Sequence, residues 1–118
     1  MARVNKNDVL SELIMKMSGG AIGCIPVISR ILAQVDGFAV LKTLDTNGIY
    51  ASDIWILYKY LCDCNLEEML AVIRSMDSNG GDKVKSVIQE FKTQDVYGDK
   101  LKEMQAVIKS LHVEESKQ

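Results

Sequence analysis

The sequence predicts an all-α protein, a compact bundle of about six to seven short helices. Its apolar segments repeat with a period of about 3.6 residues, and glycine-containing turns separate them. No segment shows the alternation of apolar and polar residues that is typical of a half-buried strand. A length of 118 residues favours one domain, residues 1–118. Residues 113–118 are expected to form a frayed tail.

The first two helices are predicted from apolar spacing and from the residues at their ends. The first runs from about Asn7 to Met17, with charged residues on its outer side. It ends at residues 18–20, because glycine accepts the left-handed conformation that closes a helix. In the second helix, Pro26 suits the first turn. The expected buried residues of this helix are Val27, Ile28, Ile31, Leu32 and Val35.

The third and fourth helices follow a break at Asp36-Gly37. The third is short and ends at Asn47-Gly48. The fourth covers residues 52–62, with Ser52 or Asp53 as its N-cap, and its broad apolar surface indicates a central position. The apolar residues that mark the third helix are Phe38, Leu41 and Leu44.

The last three helices are predicted in the same way. Asn65 caps the fifth, with Glu68 three residues later as in a capping box, and residues 79–81 end it. The sixth carries Val84, Val87, Ile88 and Phe91. The seventh has apolar residues at alternating steps of three and four, the spacing of a coiled-coil seam. This seam predicts a homo-oligomer whose interface residues are Leu101, Met104, Ile108 and Leu111.

Two ten-residue segments are similar, AVLKTLDTNG from Ala39 and AVIRSMDSNG from Ala71. Their separation lies in the range of two-helix solenoid units, so an internal helical repeat is one interpretation. The other is a bundle that uses one kind of helix ending twice, because Asn-Gly suits a left-handed cap. In both copies the Lys or Arg and the Ser or Thr are expected to face outward.

Charge and hydropathy limit the classes of partner. The chain has 14 basic and 16 acidic residues and a net charge of −2, so neither duplex nucleic acid nor an anionic membrane is an expected partner. No segment has the length and apolarity of a membrane span or an export signal. Three cysteines, an odd number, fit a reducing compartment. A cytoplasmic location is therefore expected.

Patterns for metal binding and catalysis are few. Three cysteines and one histidine have the composition of a Cys3His zinc site, but Cys62 and Cys64 are separated by a single residue, less than zinc sites normally have. We favour cysteines that pack as small apolar side chains. The chain contains no HExxH, GxSxG or Walker pattern. We expect no metal, no cofactor and no enzymatic activity. The zinc candidates considered are Cys24, Cys62, Cys64 and His112.

Two local features favour a binding function. The segment SGGAIG, residues 18–23, places three glycines before a helix and could direct backbone N–H groups at a phosphate. The segment IWILYKY, residues 54–60, offers aromatic faces and a cation. The structural alternatives are a tight turn for the glycines and a core position for the aromatic residues. The candidate ligand-binding residues are Ser18, Gly19, Gly20, Gly23, Trp55, Tyr58 and Lys59.

The same two places resemble small phage and prophage accessory proteins. Residues 15–25 and 48–62 are similar to the pattern M-S-x-G-N-P-G-A followed by G-I-x-G-S-x-I-W-x-L-Y-K-D-x-C. The chain departs from it at Ala21-Ile22, where the pattern has Asn-Pro, at Ala51, where it has Gly, and at Tyr60, where it has Asp. The matching residues are Met17, Ser18, Gly20, Gly23, Gly48, Ile49, Ser52, Ile54, Trp55, Leu57, Tyr58, Lys59 and Cys62.

The resemblance implies an accessory protein that acts on a host cell by binding. The leading hypothesis is a non-enzymatic antagonist of host defence, in the host cytoplasm, that sequesters a nucleotide signal such as a cyclic nucleotide. One alternative is a helical interaction module that occupies a host protein, for which the six methionines would give an adaptable surface. Another is a minor virion or assembly component.

Overall fold

The computed structural model describes residues 6–19, 22–76 and 81–116, and this part of the chain is helical and without strand. The prediction of an all-α bundle is confirmed. A π-helix, Ile56–Leu61, directly continues the fourth α-helix. The α-helices among the described residues are α1 (Lys6–Ser18), α2 (Cys24–Leu32), α3 (Gly37–Thr46), α4 (Ser52–Trp55), α5 (Leu66–Ser75), α6 (Gly81–Thr93) and α7 (Gly98–Ser116).

A single apolar core joins the helices. Helix α5 packs against α3, α7 and the π-helix, while α2 packs against α1, α3 and α4. The end of α1, the start of α2 and the start of α4 are thereby brought together on one side of the bundle. No helix among the described residues is long and apolar enough to cross a bilayer. The largest fully buried side chains are Met17, Ile28, Ile31, Leu41, Leu44, Ile49, Ile54, Leu57, Leu61, Met69, Leu70 and Ile73.

The predicted fourth helix is helical over its expected length but is mostly not α-helical. After one α-turn the chain widens into the π-helix, in which the N–H of Cys62 donates to the carbonyl of Leu57, five residues back, at 2.8 Å. From α7, the Gln105 side-chain amide donates to the carbonyl of Tyr60 at 2.7 Å. The wide turn places four of six residues in the core, which are Ile56, Leu57, Tyr58 and Leu61.

A tight turn follows the π-helix. Asp63 and Cys64 both have positive φ, 53° and 59°, and so reverse the chain in two residues. Asn65 then caps α5, because its Oδ1 accepts a hydrogen bond from the N–H of Glu68 at 3.0 Å. The predicted N-cap of the fifth helix is confirmed.

The two similar segments lie on α3 and α5, which pack against each other. Gly48 has φ +72°, as expected for the cap of the first copy, whereas residues 77–80 of the second lie outside the described part of the chain. The prediction that Thr43 and Ser75 face outward is wrong, since both are buried. Their hydroxyls donate to carbonyls of their own helices, at 3.0 Å to Ala39 and 2.6 Å to Val72. Burial therefore costs these hydroxyls little.

Much of the predicted oligomer seam on α7 is covered within the single chain, and the homo-oligomer stays a prediction. Met104 and Ile108 are buried in the core of the single chain, and Leu111 packs against that core. Leu101 is half-buried. Helix α7 packs against α5, α6 and the π-helix, so this seam is covered within the chain. The apolar spacing on which the homo-oligomer was predicted thus has an internal explanation. Residues 113–116, expected to be frayed, are part of α7.

Val35, which was expected in the core, is exposed, and so is Phe38, one of the apolar residues that mark the third helix. Helix α2 ends at Leu32, so Val35 falls in the turn and not on the helix face. The turn is tight, because a Cβ atom on Gly37 would collide with the carbonyl oxygen of Ile31. Phe38 then lies in the first turn of α3 on the solvent side.

Candidate functional site: the Trp55 cavity

A cavity of about 410 Å³ opens where the end of α1, the start of α2 and the start of α4 meet. The glycine turn and the aromatic segment, which are distant in sequence, both contribute to its wall. We call it the Trp55 cavity, and its lining residues are Ser18, Gly19, Gly23, Cys24, Ala51, Ser52 and Trp55. Four of these were predicted from the sequence, and Gly20, a fifth candidate, lies outside the described residues.

Ala51 connects the three elements that form the cavity. Its N–H donates to the carbonyl of Met17 at 2.6 Å. Its own carbonyl accepts from the Cys24 thiol at 3.2 Å and from the N–H of Trp55 at 3.1 Å. Ala51 has φ 50° and ψ −115°, a conformation that strongly favours glycine. The surrounding hydrogen bonds therefore hold a strained alanine in place.

Gly19 permits the close approach of the two walls. It has φ +59°, and its N–H donates to the carbonyl of Met15 at 2.9 Å, which ends α1 as predicted. A Cβ atom at this position would lie 3.0 Å from the Cβ of Ala51. Both its backbone conformation and its small size are thus required for the wall to close.

Gly23 has a different role. Its φ and ψ, −63° and −28°, are helical, so the backbone does not require glycine. A Cβ atom here would lie 3.8 Å from Cζ3 of Trp55 and 4.0 Å from both Cε3 and Cη2. Nearly equal distances to three consecutive ring carbons place that position above the face of the six-membered ring. The Gly23 backbone therefore packs over one edge of the Trp55 ring, and both residues line the cavity.

Lys59 and Tyr58 lie next to Trp55 but outside the cavity wall. The Nζ of Lys59 is 5.4 Å from the centroid of the Trp55 ring, a cation–π contact. The ring of Tyr58 lies 6.0 Å from that of Trp55, centroid to centroid, and only 9% of Tyr58 is exposed. The interpretation of Tyr58 as a stacking surface is therefore corrected, because it is a core residue that supports Trp55 from one side.

The lining is mostly apolar and carries no charged side chain among the described residues. Ser18 is buried, and its hydroxyl donates to the carbonyl of Met15 at 3.5 Å. Burial raises the pKa of the Cys24 thiol, so it stays protonated at neutral pH. Sequence reasoning missed Cys24, Ala51 and Ser52 as lining residues. For Ala51 the sequence did contain an indication, because the pattern it resembles has glycine at this position. Glycine is the residue that the positive φ of Ala51 favours.

A polar cluster fixes the edge of the cavity. The Nζ of Lys16 pairs with the Asp45 carboxylate at 3.1 Å, and the Tyr50 hydroxyl donates to the same carboxylate. These contacts hold the pKa of Asp45 below its usual value and raise that of Lys16. The cluster joins α1 to the end of α3 and to the residue before Ala51, and it neutralises the charge of Lys16.

The cysteines do not form a visible metal site. Cys24 and Cys62 are buried, Cys64 is exposed, and burial raises the pKa of the Cys62 thiol to about 12. Among the described side chains, no three groups of the metal-ligating kind come together. The side chain of His112 lies outside the described part of the chain.

No model of a known protein family matches the chain, and neither a curated protein nor a solved structure shows significant similarity to it. The interpretation of the cavity therefore rests on its geometry and chemistry.

Proposed function

We propose that the chain is a non-enzymatic binding protein whose Trp55 cavity holds a phosphorylated nucleotide. The observation that carries this proposal is that the Trp55 ring and the glycine turn before α2 line one cavity of about 410 Å³. In the setting implied by the resemblance, the protein is a phage-type accessory factor. It acts in the host cytoplasm and antagonises host defence by sequestering a nucleotide signal.

Trp55 supplies the contact for the base. Stacking of a nucleobase on an aromatic side chain is worth roughly 1–3 kcal/mol. The Trp55 ring is held by Lys59 and Tyr58 and belongs to the helix that starts at the strained Ala51. Because the wall is already fixed, little conformational entropy is lost when a ligand is bound.

The α1–α2 turn supplies the environment for the phosphate. Helix α2 starts at Cys24, and its first turn contains no acidic residue. A helix N-terminus favours an anion by roughly 0.3–1 kcal/mol when exposed. Gly23 allows a ligand to approach the backbone closely, because no side chain projects there.

The chemistry of the lining supports binding without catalysis. Of its polar groups, the Cys24 thiol has a raised pKa and donates to a backbone carbonyl. No histidine or carboxylate among the lining residues is available to activate the hydroxyls of Ser18 or Ser52. A bound nucleotide would therefore be held and not converted.

Isothermal titration calorimetry with nucleoside monophosphates, cyclic mononucleotides and cyclic dinucleotides tests this proposal. Gly23→Ala is the informative variant, since its methyl group would meet Trp55 at ordinary van der Waals distance and alanine favours a helix. Ser29→Ala, on an exposed position of α2, is the matched control. We expect at least one ligand to bind, and Gly23→Ala to weaken it at least tenfold while Ser29→Ala leaves it unchanged. Silence across the panel, or full affinity in Gly23→Ala, would refute the proposal.

A second candidate function is occupation of a host protein by a helical surface. The observation that favours it is the exposure of Ile22, 84%, and of Met15 beside the same turn. Two large exposed apolar side chains beside one turn favour a contact surface there. If no nucleotide binds in the titration, occupation of a host protein becomes the better candidate function.

A further inference from the structure

We infer that the Trp55 cavity accepts a single nucleoside unit with at most one phosphate, and not linked nucleotides or polyphosphates. This inference rests on the proposed function and deepens it. The inference is argued from three features of the cavity: its size, the number of its aromatic surfaces and its charge.

The size suits one nucleotide. Ligand pockets range from about 300 to 1,000 Å³, and the Trp55 cavity, at about 410 Å³, is near the lower end. A base with its sugar and one phosphate is a ligand of that scale. Two linked nucleotides would leave one unit outside the wall, where it would gain little contact.

The aromatic surface suits one base. Trp55 is the only aromatic residue among the described lining residues. The neighbouring ring, that of Tyr58, is buried in the core and cannot receive a second base. Each stacked base gains roughly 1–3 kcal/mol, and the described lining offers an aromatic ring for one base.

The charge suits few phosphates. None of the described lining residues is charged. Two lysines lie beside the site, but Lys16 is paired with Asp45 at 3.1 Å and the Nζ of Lys59 lies over the Trp55 ring. Each added phosphate would lose water without gaining an opposite charge, which is costly. One phosphate can lie beside the first turn of α2, where the helix N-terminus favours an anion.

The test compares the binding of four probes to the full chain by calorimetry. The probes are adenosine, adenosine monophosphate, adenosine triphosphate and cyclic diadenosine monophosphate, and the guanosine series is measured in parallel. We expect one monophosphate to bind with a stoichiometry of one per chain, at least tenfold more tightly than the triphosphate and the cyclic dinucleotide of the same base. Its affinity should also fall only weakly as salt is raised, because few charges are neutralised.

The outcomes separate the two proposals. If a triphosphate or a cyclic dinucleotide binds as tightly as the monophosphate, and Gly23→Ala weakens it, the inference on ligand size is overturned and the proposed function stands. If no probe binds, the proposed function fails and the inference fails with it. A stoichiometry of one ligand per two chains would also overturn the inference, because it would require a shared site.

Discussion

The N–H of Ala51 donates a hydrogen bond to the carbonyl oxygen of Met17 at 2.6 Å, and this bond joins the residue before α4 to the last turn of α1. Ala51 makes this bond in a conformation with φ 50°. Backbone contact between the end of α1 and the start of α4 thus sets part of the wall of the Trp55 cavity.

Replacing Ala51 with glycine should stabilise the protein. A left-handed conformation costs an alanine roughly 1–2 kcal/mol, of which the greater freedom of glycine in the unfolded chain offsets about 0.5–1 kcal/mol. We therefore expect Ala51→Gly to raise the free energy of unfolding by up to about 1.5 kcal/mol. Urea denaturation followed by circular dichroism measures this.

The same substitution elsewhere provides the control. Ala106 is exposed in the middle of α7, where glycine should lower the free energy of unfolding by about 1 kcal/mol. A loss of stability in Ala51→Gly comparable to that in Ala106→Gly would show that Ala51 is not strained.

The helices were predictable because apolar spacing is a property of the sequence, but two features of the fold were not. The π-helix lies in a segment, residues 56–61, that is apolar on most sides, so a period of 3.6 residues cannot be told from a wider one. Val35 and Phe38 continue the apolar spacing of their helices. Their exposure follows from where α2 ends and from the tight turn at Gly37, which only tertiary contacts determine.

The site was partly predictable for a similar reason. Glycines before a helix and a Trp-Lys pair four residues apart are visible as local chemistry. That they share one cavity depends on the packing of α1, α2 and α4, which local chemistry does not encode. Tyr58 shows the limit, since an aromatic residue at helical spacing can be a core residue or a binding surface, and only its burial decides.

The three thiols should differ sharply in reactivity. Cys64 is exposed, whereas burial raises the pKa of Cys24 and brings that of Cys62 to about 12. A maleimide at neutral pH should label Cys64 rapidly in the native protein, and all three cysteines in denaturant, as read by mass spectrometry. Rapid native labelling of Cys24 would mean that the cavity wall opens readily.

Acid should weaken the fold through two half-buried carboxylates. Hydrogen bonds from Arg74 lower the pKa of Asp36, and those from Tyr50 and Lys16 lower the pKa of Asp45. Because each pKa is lower in the folded chain than its usual value of 3.8, the stabilisation is complete above that pH. It is lost as the pH falls through the folded value.

Thermal melts between neutral pH and about pH 2.5 measure this effect. The variant with both Asp36→Asn and Asp45→Asn should have a lower melting temperature than the wild type at neutral pH. Its melting temperature should also fall less on acidification. An equal acid-induced fall in melting temperature for the two proteins would assign acid sensitivity to other groups.

The apolar seam of α7 should contribute to the stability of the single chain. Ile108 is fully buried, so Ile108→Ala should lower the free energy of unfolding by roughly 2–5 kcal/mol. Val107→Ala, one residue away on the outer side, is the control and should change it little. Denaturation at two protein concentrations separates packing from association. A midpoint for the wild type that rises with concentration would restore an intermolecular role for α7.

The most direct test of the Trp55 cavity is the fluorescence of Trp55 during a nucleotide titration, because Trp55 is the only tryptophan in the chain. We expect a nucleoside monophosphate to quench this fluorescence in a saturable way, with the affinity found by calorimetry. A parallel titration of free tryptophan amide at the same absorbance corrects for light absorbed by the base. In Gly23→Ala, where a methyl group would lie 3.8 Å from Cζ3 of Trp55, the saturable quenching should require at least tenfold more ligand while the melting temperature is retained. Nucleotide binding by calorimetry that leaves Trp55 fluorescence unchanged, or equal quenching in Gly23→Ala, would contradict the assignment of the ligand to this cavity.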